Sequence, residues 1–361
     1  MRTKLRIRGL GILLLAVLAG LPGGTVSSWL RLDQPALAAP LPGIEAQGSW
    51  LGDEEAVLDW AEVPDVFPGV KHLQVSVDTP RRMDLHCVRI DTETPGLQFY
   101  TTPRADPWVQ DSTETRRQTT RDFLREARRA GMPMVVAINA DAFSPWPAPW
   151  DEETPTNLLG LAVSDGVLVS PGSGTASLLI DQEGHARMAL TDASTDIQSI
   201  RTAVSGFGFC LLEGLPLVGD GATHPRTGIG LSADQRFVYL MTIDGRRHAS
   251  QGATTEEVGR WLQRFGAYTG INMDGGGSTT LTLWNPSAPE ADQVELLNHP
   301  VGNGLNWLTL PLESEAASYT PTERCTGNSL GVCVPSPDPA VGAAPGPGAS
   351  EGVTPDCPPD Q

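Results

Sequence analysis

The chain has 361 residues, with 25 Lys and Arg against 43 Asp and Glu and a formal net charge of −18. That length can bury a sizeable core, in one large domain or two ordinary ones. The acidic balance argues against a nucleic-acid-binding face and against docking on an anionic membrane surface.

Arg2, Lys4, Arg6 and Arg8 precede an apolar stretch from Leu10 to Leu21 that stops at Pro22-Gly23-Gly24. This is the layout of a secretory signal, well short of the roughly 20 apolar residues that cross a bilayer. Ala36-Leu37-Ala38 offers a cleavage site, and its distance from the apolar run leaves an uncleaved anchor as the alternative. The expected location is secreted, periplasmic or in the cell envelope, with membrane contact only through this segment if it stays uncleaved. Disulfides persist there. Cys325 and Cys333 bracket a short loop and are the expected pair. Cys87 and Cys210 lie in strand-like runs and either pair or serve as small buried hydrophobes, which leaves Cys357 over.

Residues 1–38 are thus a signal or anchor, and 39–72, rich in Pro, Gly and acids, an N-terminal extension. From Leu73 the pattern turns to β: Leu73, Val75 and Val77 alternate with polar neighbours, Met83 to Ile90 is strand-like, and Leu97 to Tyr100 follows a Pro-Gly turn. Thr120 opens an amphipathic helix over 121–130 with Phe123, Leu124 and Ala127 on one face and Gly131 as its stop. Met134 to Ile138 is wholly apolar, the mark of a buried strand, and delivers Asn139, Asp141 and Phe143 at its exit. Turn signals at Ser164-Asp165-Gly166, Gln182-Glu183-Gly184 and Glu213-Gly214 predict three hairpins. His224-Pro225-Arg226-Thr227 opens a glycine-flanked strand, and Phe237 to Ile243 is an apolar strand ending at Asp244-Gly245. Thr254 and Glu257 form a capping box for a helix carrying Val258, Trp261, Leu262 and Phe265 on one stripe. A last strand is expected over 305–310, after which apolar periodicity ends; 313–361 reads as a Cys-containing, Pro/Gly-rich disordered tail.

The most informative stretch is Ile271-Asn272-Met273-Asp274-Gly275-Gly276-Gly277-Ser278-Thr279-Thr280, read as strand, tight loop and strand. Three consecutive glycines allow positive φ and close approach of a ligand, and their N–H groups can form an anion-binding concavity. Asp274 stands at its mouth, with Ser278 and Thr279 as hydroxyl donors and Arg226 as a further anion ligand. A carboxylate beside a phosphate cradle is a layout for hydrolysis or transfer. No His/Cys cluster has zinc spacing, Gly-x-Ser-x-Gly is absent and no Walker-type Gly-Lys-Ser/Thr occurs, so zincin, serine-hydrolase and P-loop readings drop out.

Taken together, Ala137-Ile138-Asn139 with Phe143, His224 to Gly230, Thr242 to Arg246 and Asn272 to Thr279 resemble the phosphodiester glycosidase family over about residues 73–312. Ala140-Asp141-Ala142 stand where the family usually has glycine and aromatic residues. The resemblance implies a single catalytic domain and hydrolysis of a sugar 1-phosphodiester, with Asn139, Phe143, His224, Arg226, Thr227, Gly275, Gly276, Gly277, Ser278 and Thr279 around the substrate. Asp274 is the first candidate for the catalytic carboxylate; Asp141 and Asp244 are candidates for a second, by analogy with glycoside hydrolysis in general. The expected fold is α+β, with mixed, largely antiparallel sheets and a few packed helices. The expected partner is a sugar phosphodiester or polysaccharide, with no cofactor. The competing reading is an envelope polysaccharide-binding module that uses the same loop without cleavage.

Overall fold

The computed structural model describes residues 57–146, 151–302 and 321–335, all within the unit Ser49–Gln361. The N-terminal signal, most of the 39–72 extension, the strand expected over 305–310, Cys357 and the rest of the tail beyond 335 lie outside the described residues.

The chain enters through β1 (Asp65–Phe67), β2 (Val70–Val77), β3 (Met83–Asp91), β4 (Gln98–Thr101) and β5 (Thr115–Arg116). Helix α1 (Thr120–Arg129) is capped one residue earlier than its sequence suggests, by Thr119, whose Oγ1 accepts from the N–H of Asp122 at 3.1 Å. Its buried Phe123, Leu124 and Ala127 pack with Met134 and Ala137 of β6 (Met134–Asn139), a strand buried at every position as its apolar run requires. Then come β7 (Phe143–Ser144), β8 (Pro155–Leu158), β9 (Ala162–Ser164), β10 (Val167–Ser170), β11 (Thr175–Asp181), β12 (Ala186–Thr191), β13 (Ile200–Ser205), β14 (Gly208–Leu212) and β15 (Leu215–Pro216). The three hairpins stand where the turn residues put them; Glu213 and Gly214, for example, take φ of 51° and 75°, as a two-residue turn of that hand demands. Strand β13 is an addition: it pairs with β11 and β9.

The second half supplies β16 (Arg226–Leu231), β17 (Phe237–Ile243), α2 (Thr255–Phe265), β18 (Thr269–Asn272), β19 (Leu281–Trp284), β20 (Val294–Leu296) and β21 (Ser329–Cys333). Helix α2 has the capping box formed, and Gly266 closes it in the left-handed region. The large sheet runs β1-β2-β3-β17-β16-β18-β14-β15, a second β10-β9-β13-β11-β12, a third β20-β19-β6-β21-β4, and a small one β5-β8-β7. Each of these pairings is antiparallel, which with two helices gives the α+β, strand-rich class expected. The main core draws Ile229, Leu240 and Ile271 from the first sheet, Leu178, Ile180 and Val204 from the second, and Ile138, Leu281 and Leu330 from the third. Helix α2 closes the opposite face of the first sheet through Val258, Trp261, Leu262 and Phe265.

Two expectations are corrected here. Within the supposed tail, Ser329–Cys333 is a fully buried strand seated between β4 and β6. Cys325 and Cys333 are not bridged; both are free thiols, as are Cys87 and Cys210, which are buried. The reason is geometric. Thr326 bridges to Gln118, before α1, whereas Cys333 pairs with Met134, beyond the end of α1. An extended strand advances about 3.3 Å per residue, so the segment read as a loop carries its two ends apart.

Candidate active site

Strand β18 ends at Asn272, Met273 drops into the core, and Asp274 opens the glycine loop, whose Gly276–Ser278 form a 3-10 turn before β19 begins. The loop is gripped from outside itself. Asn139, fully buried at the end of β6, donates through Nδ2 to the Asp274 carbonyl at 2.7 Å, while its Oδ1 accepts from Thr280 N at 3.0 Å and Thr227 Oγ1 at 2.8 Å. Asn298 donates to the Thr279 carbonyl at 3.0 Å and to Asp244 Oδ1 at 3.1 Å, and accepts from Leu281 N at 2.7 Å. Gly277 has no room for any side chain, since a Cβ there would lie 1.7 Å from the Gly302 carbonyl oxygen.

Part of the loop's amide array is taken up by protein acceptors: Gly276 N–H donates to the Pro225 carbonyl, Ser278 N–H to that of Gly275 and Thr279 N–H to that of Gly276. Arginines add positive charge. At Gly276, with φ of +64°, an added Cβ would stand 3.1 Å from Nη2 of Arg246, a half-buried guanidinium that makes no hydrogen bond or ion pair among the described residues. Burial, and the nearby charge of Arg226, lower its pKa. On the other side Arg324, buried, donates through Nη1 to Ser278 Oγ at 3.2 Å and through Nη2 to the Gly302 carbonyl at 3.1 Å, and its guanidinium lies 4.8 Å from the ring centre of Trp146, which is 57% exposed.

Asp274, which feels the charge of Arg324, is 9% exposed, with Oδ2 buried and without a hydrogen bond. Burial pushes its carboxyl up to about 6, against the pull of the Ser278 hydroxyl, the Arg324 charge and the Gly275 amide. A carboxyl perturbed in this way, with one oxygen unpartnered, can take up or deliver a proton near neutrality or attack an electrophile.

The other expected residues divide into neighbours of this centre and parts of its support. His224 adjoins Arg226 and Arg246, and its pKa is lowered by burial first and then by those charges; its Nδ1 is buried without a partner, as is Thr279 Oγ1. Thr227 is spent on Asn139. Arg226 is held by the carbonyls of Ala253 and Ala222 at 2.9 and 2.8 Å and by Asp220 at 3.1 Å. Phe143 is buried under the Arg117 guanidinium, with the exposed Trp146 meeting it edge-on. Asp141 is fully buried, one oxygen accepting from Ser205 N at 2.8 Å and the other from Asn328 Nδ2 at 2.7 Å; burial, and to a lesser extent the charge of Asp274, raise its pKa well above the carboxylate range. Asp244, pushed up to about 6 by burial, accepts from His299 N, Asn298 Nδ2 and Arg247 Nη1. Neither offers an unpartnered oxygen comparable to that of Asp274. Among the described residues, the grouping of three carboxylate or imidazole ligands within 4.8 Å is Asp181, Glu183 and His185, on the β11–β12 hairpin rather than at this loop.

Sequence reasoning left out Arg246, Arg324 and Trp146. Arg246 lay inside a quoted motif beside Asp244-Gly245. Arg324 was hidden by the tail reading, although Leu330, Val332 and Val334 alternate just beyond it.

A buried acid within the charge of Arg324 is thus carried on a strand-rich α+β scaffold. Residues 133–310 match the family model described as Phosphodiester glycosidase, and this part of the chain is a domain of that family. No curated protein matches the chain. Among solved structures, the catalytic domain of zebrafish N-acetylglucosamine-1-phosphodiester alpha-N-acetylglucosaminidase, auto-inhibited by its pro-peptide, is similar at 16% identity and a TM-score of 0.53, covering 78% of this chain and 87% of that one. A hypothetical protein from Synechocystis is similar at 13% identity and a TM-score of 0.50, covering 74% of this chain and 62% of that one. At these identities the likeness is one of fold.

Proposed function

We propose that the protein is an exported hydrolase that cleaves a sugar 1-phosphodiester, of the α-N-acetylglucosamine 1-phosphodiester kind, in a glycan or cell-envelope polysaccharide. The observation that carries this reading is Asp274: a buried carboxyl held near pKa 6, with one unpartnered oxygen, within the charge of Arg324 and on the loop whose Gly276 faces Arg246. The family match supplies the reaction class, and the basic-then-apolar N-terminus supports export.

In this reading the arginines meet the phosphodiester oxygens, Arg246 directly over Gly276 and Arg324 through its charge and the Ser278 hydroxyl it holds. Asp274, ionised above about pH 6, acts at the anomeric carbon as base for the attacking water. The C1–O bond breaks, the electron pair leaves on the phosphate, and water supplies the hydroxyl of the free sugar. Phosphate is a good leaving group, so departure needs no second carboxylic acid. This agrees with the full engagement of Asp141 and Asp244 by protein donors. A module that only binds would gain nothing from an unpartnered buried carboxylate, whose desolvation is costly.

The test is incubation of the secreted chain with a panel of sugar 1-phosphodiesters, reading free reducing sugar and phosphomonoester together. Release of both in equal amounts supports the proposal. Release of neither from any member overturns it.

A further inference from the structure

Asp244 follows β17 directly and is 3% exposed. Its Oδ1 accepts from Asn298 Nδ2 at 3.1 Å and from His299 N at 3.0 Å, and its Oδ2 from His299 N and Arg247 Nη1, both at 3.1 Å. A carboxylate has about four acceptor positions, and these contacts fill them. The side chain therefore has no oxygen to offer a substrate, and what it does is join two pieces of the site.

The first piece is the turn that carries Arg246. Arg246 has φ of 57°, a left-handed backbone that a residue with a side chain keeps only where its surroundings hold it. The bonds that hold it converge on Asp244. Asp244 N–H donates to the Asp84 carbonyl at 2.9 Å, Ser250 Oγ donates to the Asp244 carbonyl at 2.6 Å, Arg247 N–H donates to the Ser250 carbonyl at 3.0 Å, and the Arg247 guanidinium folds back onto the Asp244 carboxylate. Gly245 lies against Pro225, since a Cβ there would stand 2.5 Å from the Pro225 nitrogen, and the Pro225 carbonyl accepts from Gly276 N–H at 2.8 Å. With Arg247 folded inward, Arg246 is the arginine of this turn that reaches Gly276.

The second piece is the exit of the glycine loop. Asn298 donates to Asp244 and, through the same Nδ2, to the Thr279 carbonyl at 3.0 Å, while its Oδ1 accepts from Leu281 N at 2.7 Å. One buried carboxylate thus ties the turn bearing Arg246 to the loop bearing Asp274 and Ser278.

Resting on the hydrolase reading above, we infer that Asp244 is a positioning residue for the phosphate: through Arg247 and Asn298 it fixes where the Arg246 guanidinium stands relative to the glycine loop. In that role it touches no reacting atom, so its loss weakens binding of the anion in ground and transition states alike. A second catalytic carboxylate would instead show its loss in kcat.

The experiment separates the two. Asp244→Asn keeps the size of the side chain and removes the charge that holds Arg247; it should raise KM for a sugar 1-phosphodiester about tenfold and leave kcat within about threefold of wild type. Arg247→Ala should raise KM in the same direction. Asp244→Asn added to Arg246→Ala should raise KM no further, because the guanidinium it positions is gone. Inorganic phosphate, titrated into the full chain and followed by phosphorus NMR, reads the same cycle without turnover: its binding should weaken about tenfold in Asp244→Asn and in Arg246→Ala and no further in the double variant. Arg247 is half-buried, so its variant stays informative if Asp244→Asn fails to fold. A loss of about a hundredfold in kcat with KM unchanged in folded Asp244→Asn overturns the role. So do additive effects of Asp244→Asn and Arg246→Ala, or a phosphate affinity that Arg247→Ala leaves unaltered. A non-additive phosphate cycle in a protein that cleaves no sugar phosphodiester upholds the role and removes the hydrolase reading. Cleavage together with an additive cycle does the reverse.

Discussion

Arg324 Nη1 donates to Ser278 Oγ at 3.2 Å, and through that hydroxyl a residue from beyond position 320 supports the carboxyl of Asp274. Removing the guanidinium takes away a charge that pulls the Asp274 pKa down, so Arg324→Ala should move the acid limb of the pH–rate profile upward. It should also lower kcat/KM about tenfold or more through lost stabilisation of the phosphate. Arg324→Lys should restore part of the pH shift and less of the rate, since lysine cannot donate to Ser278 and Gly302 together. An unchanged acid limb in Arg324→Ala would separate this arginine from the acid.

Asp274→Asn should abolish turnover, by about 10³-fold or more in kcat, because the amide keeps the size of the carboxylate and loses its basicity. The same substitution should stabilise the protein near neutrality. The folded-state pKa of about 6 lies above the ordinary 3.8, so the folded chain holds this proton better than the unfolded one. That contribution is complete below about pH 4 and is lost as pH rises through about 6. At pH 7.5 the variant should therefore exceed wild type by at most about 3 kcal/mol, and the gap should close toward pH 4. Denaturant unfolding at both pH values checks this, and wild-type activity should rise with pH through about 6.

The two arginines near the loop should separate cleanly. Arg246 makes no ion pair or hydrogen bond in the described structure, so Arg246→Ala should raise KM about tenfold for a phosphodiester while shifting stability by less than about 0.5 kcal/mol. Arg226 satisfies two carbonyls and the Asp220 carboxylate, so Arg226→Ala should cost about 2–3 kcal/mol of stability. Thermal melts beside Michaelis–Menten curves distinguish the two; equal melting losses would refute the assignment.

Asn139→Ala should destabilise the fold by about 2–4 kcal/mol and inactivate it as well, since one side chain satisfies the Asp274 carbonyl, the Thr280 amide and the Thr227 hydroxyl. Asn139→Asp keeps the acceptor but sets a carboxylate oxygen against the Asp274 carbonyl, and should be no better. Urea unfolding with activity measured on the surviving folded fraction tests both. Full specific activity in that fraction would mean that the loop keeps its shape without the clasp.

What the sequence determined by itself is local in its physics. The wholly apolar 134–138 run, the Thr254/Glu257 capping box, the positive-φ hairpin turns and the D-G-G-G-S loop each follow from neighbours along the chain, and each is present. The division of labour among polar residues was decided only by tertiary structure. Asn139, Thr227 and Arg226 have the chemistry of ligands for a phosphodiester, but Asn139 and Thr227 clasp each other across two strands and Arg226 is taken up by loop carbonyls and Asp220, while Arg246 makes no hydrogen bond or ion pair among the described residues beside Gly276. Strand β21 was illegible for the same reason: its short apolar alternation becomes a strand because β4 and β6, from far earlier in the chain, leave a gap whose backbone groups must be hydrogen-bonded. A buried polar group is defined by the partner that satisfies it, and for Asn139 those partners, Thr227, Asp274 and Thr280, lie scores of residues away.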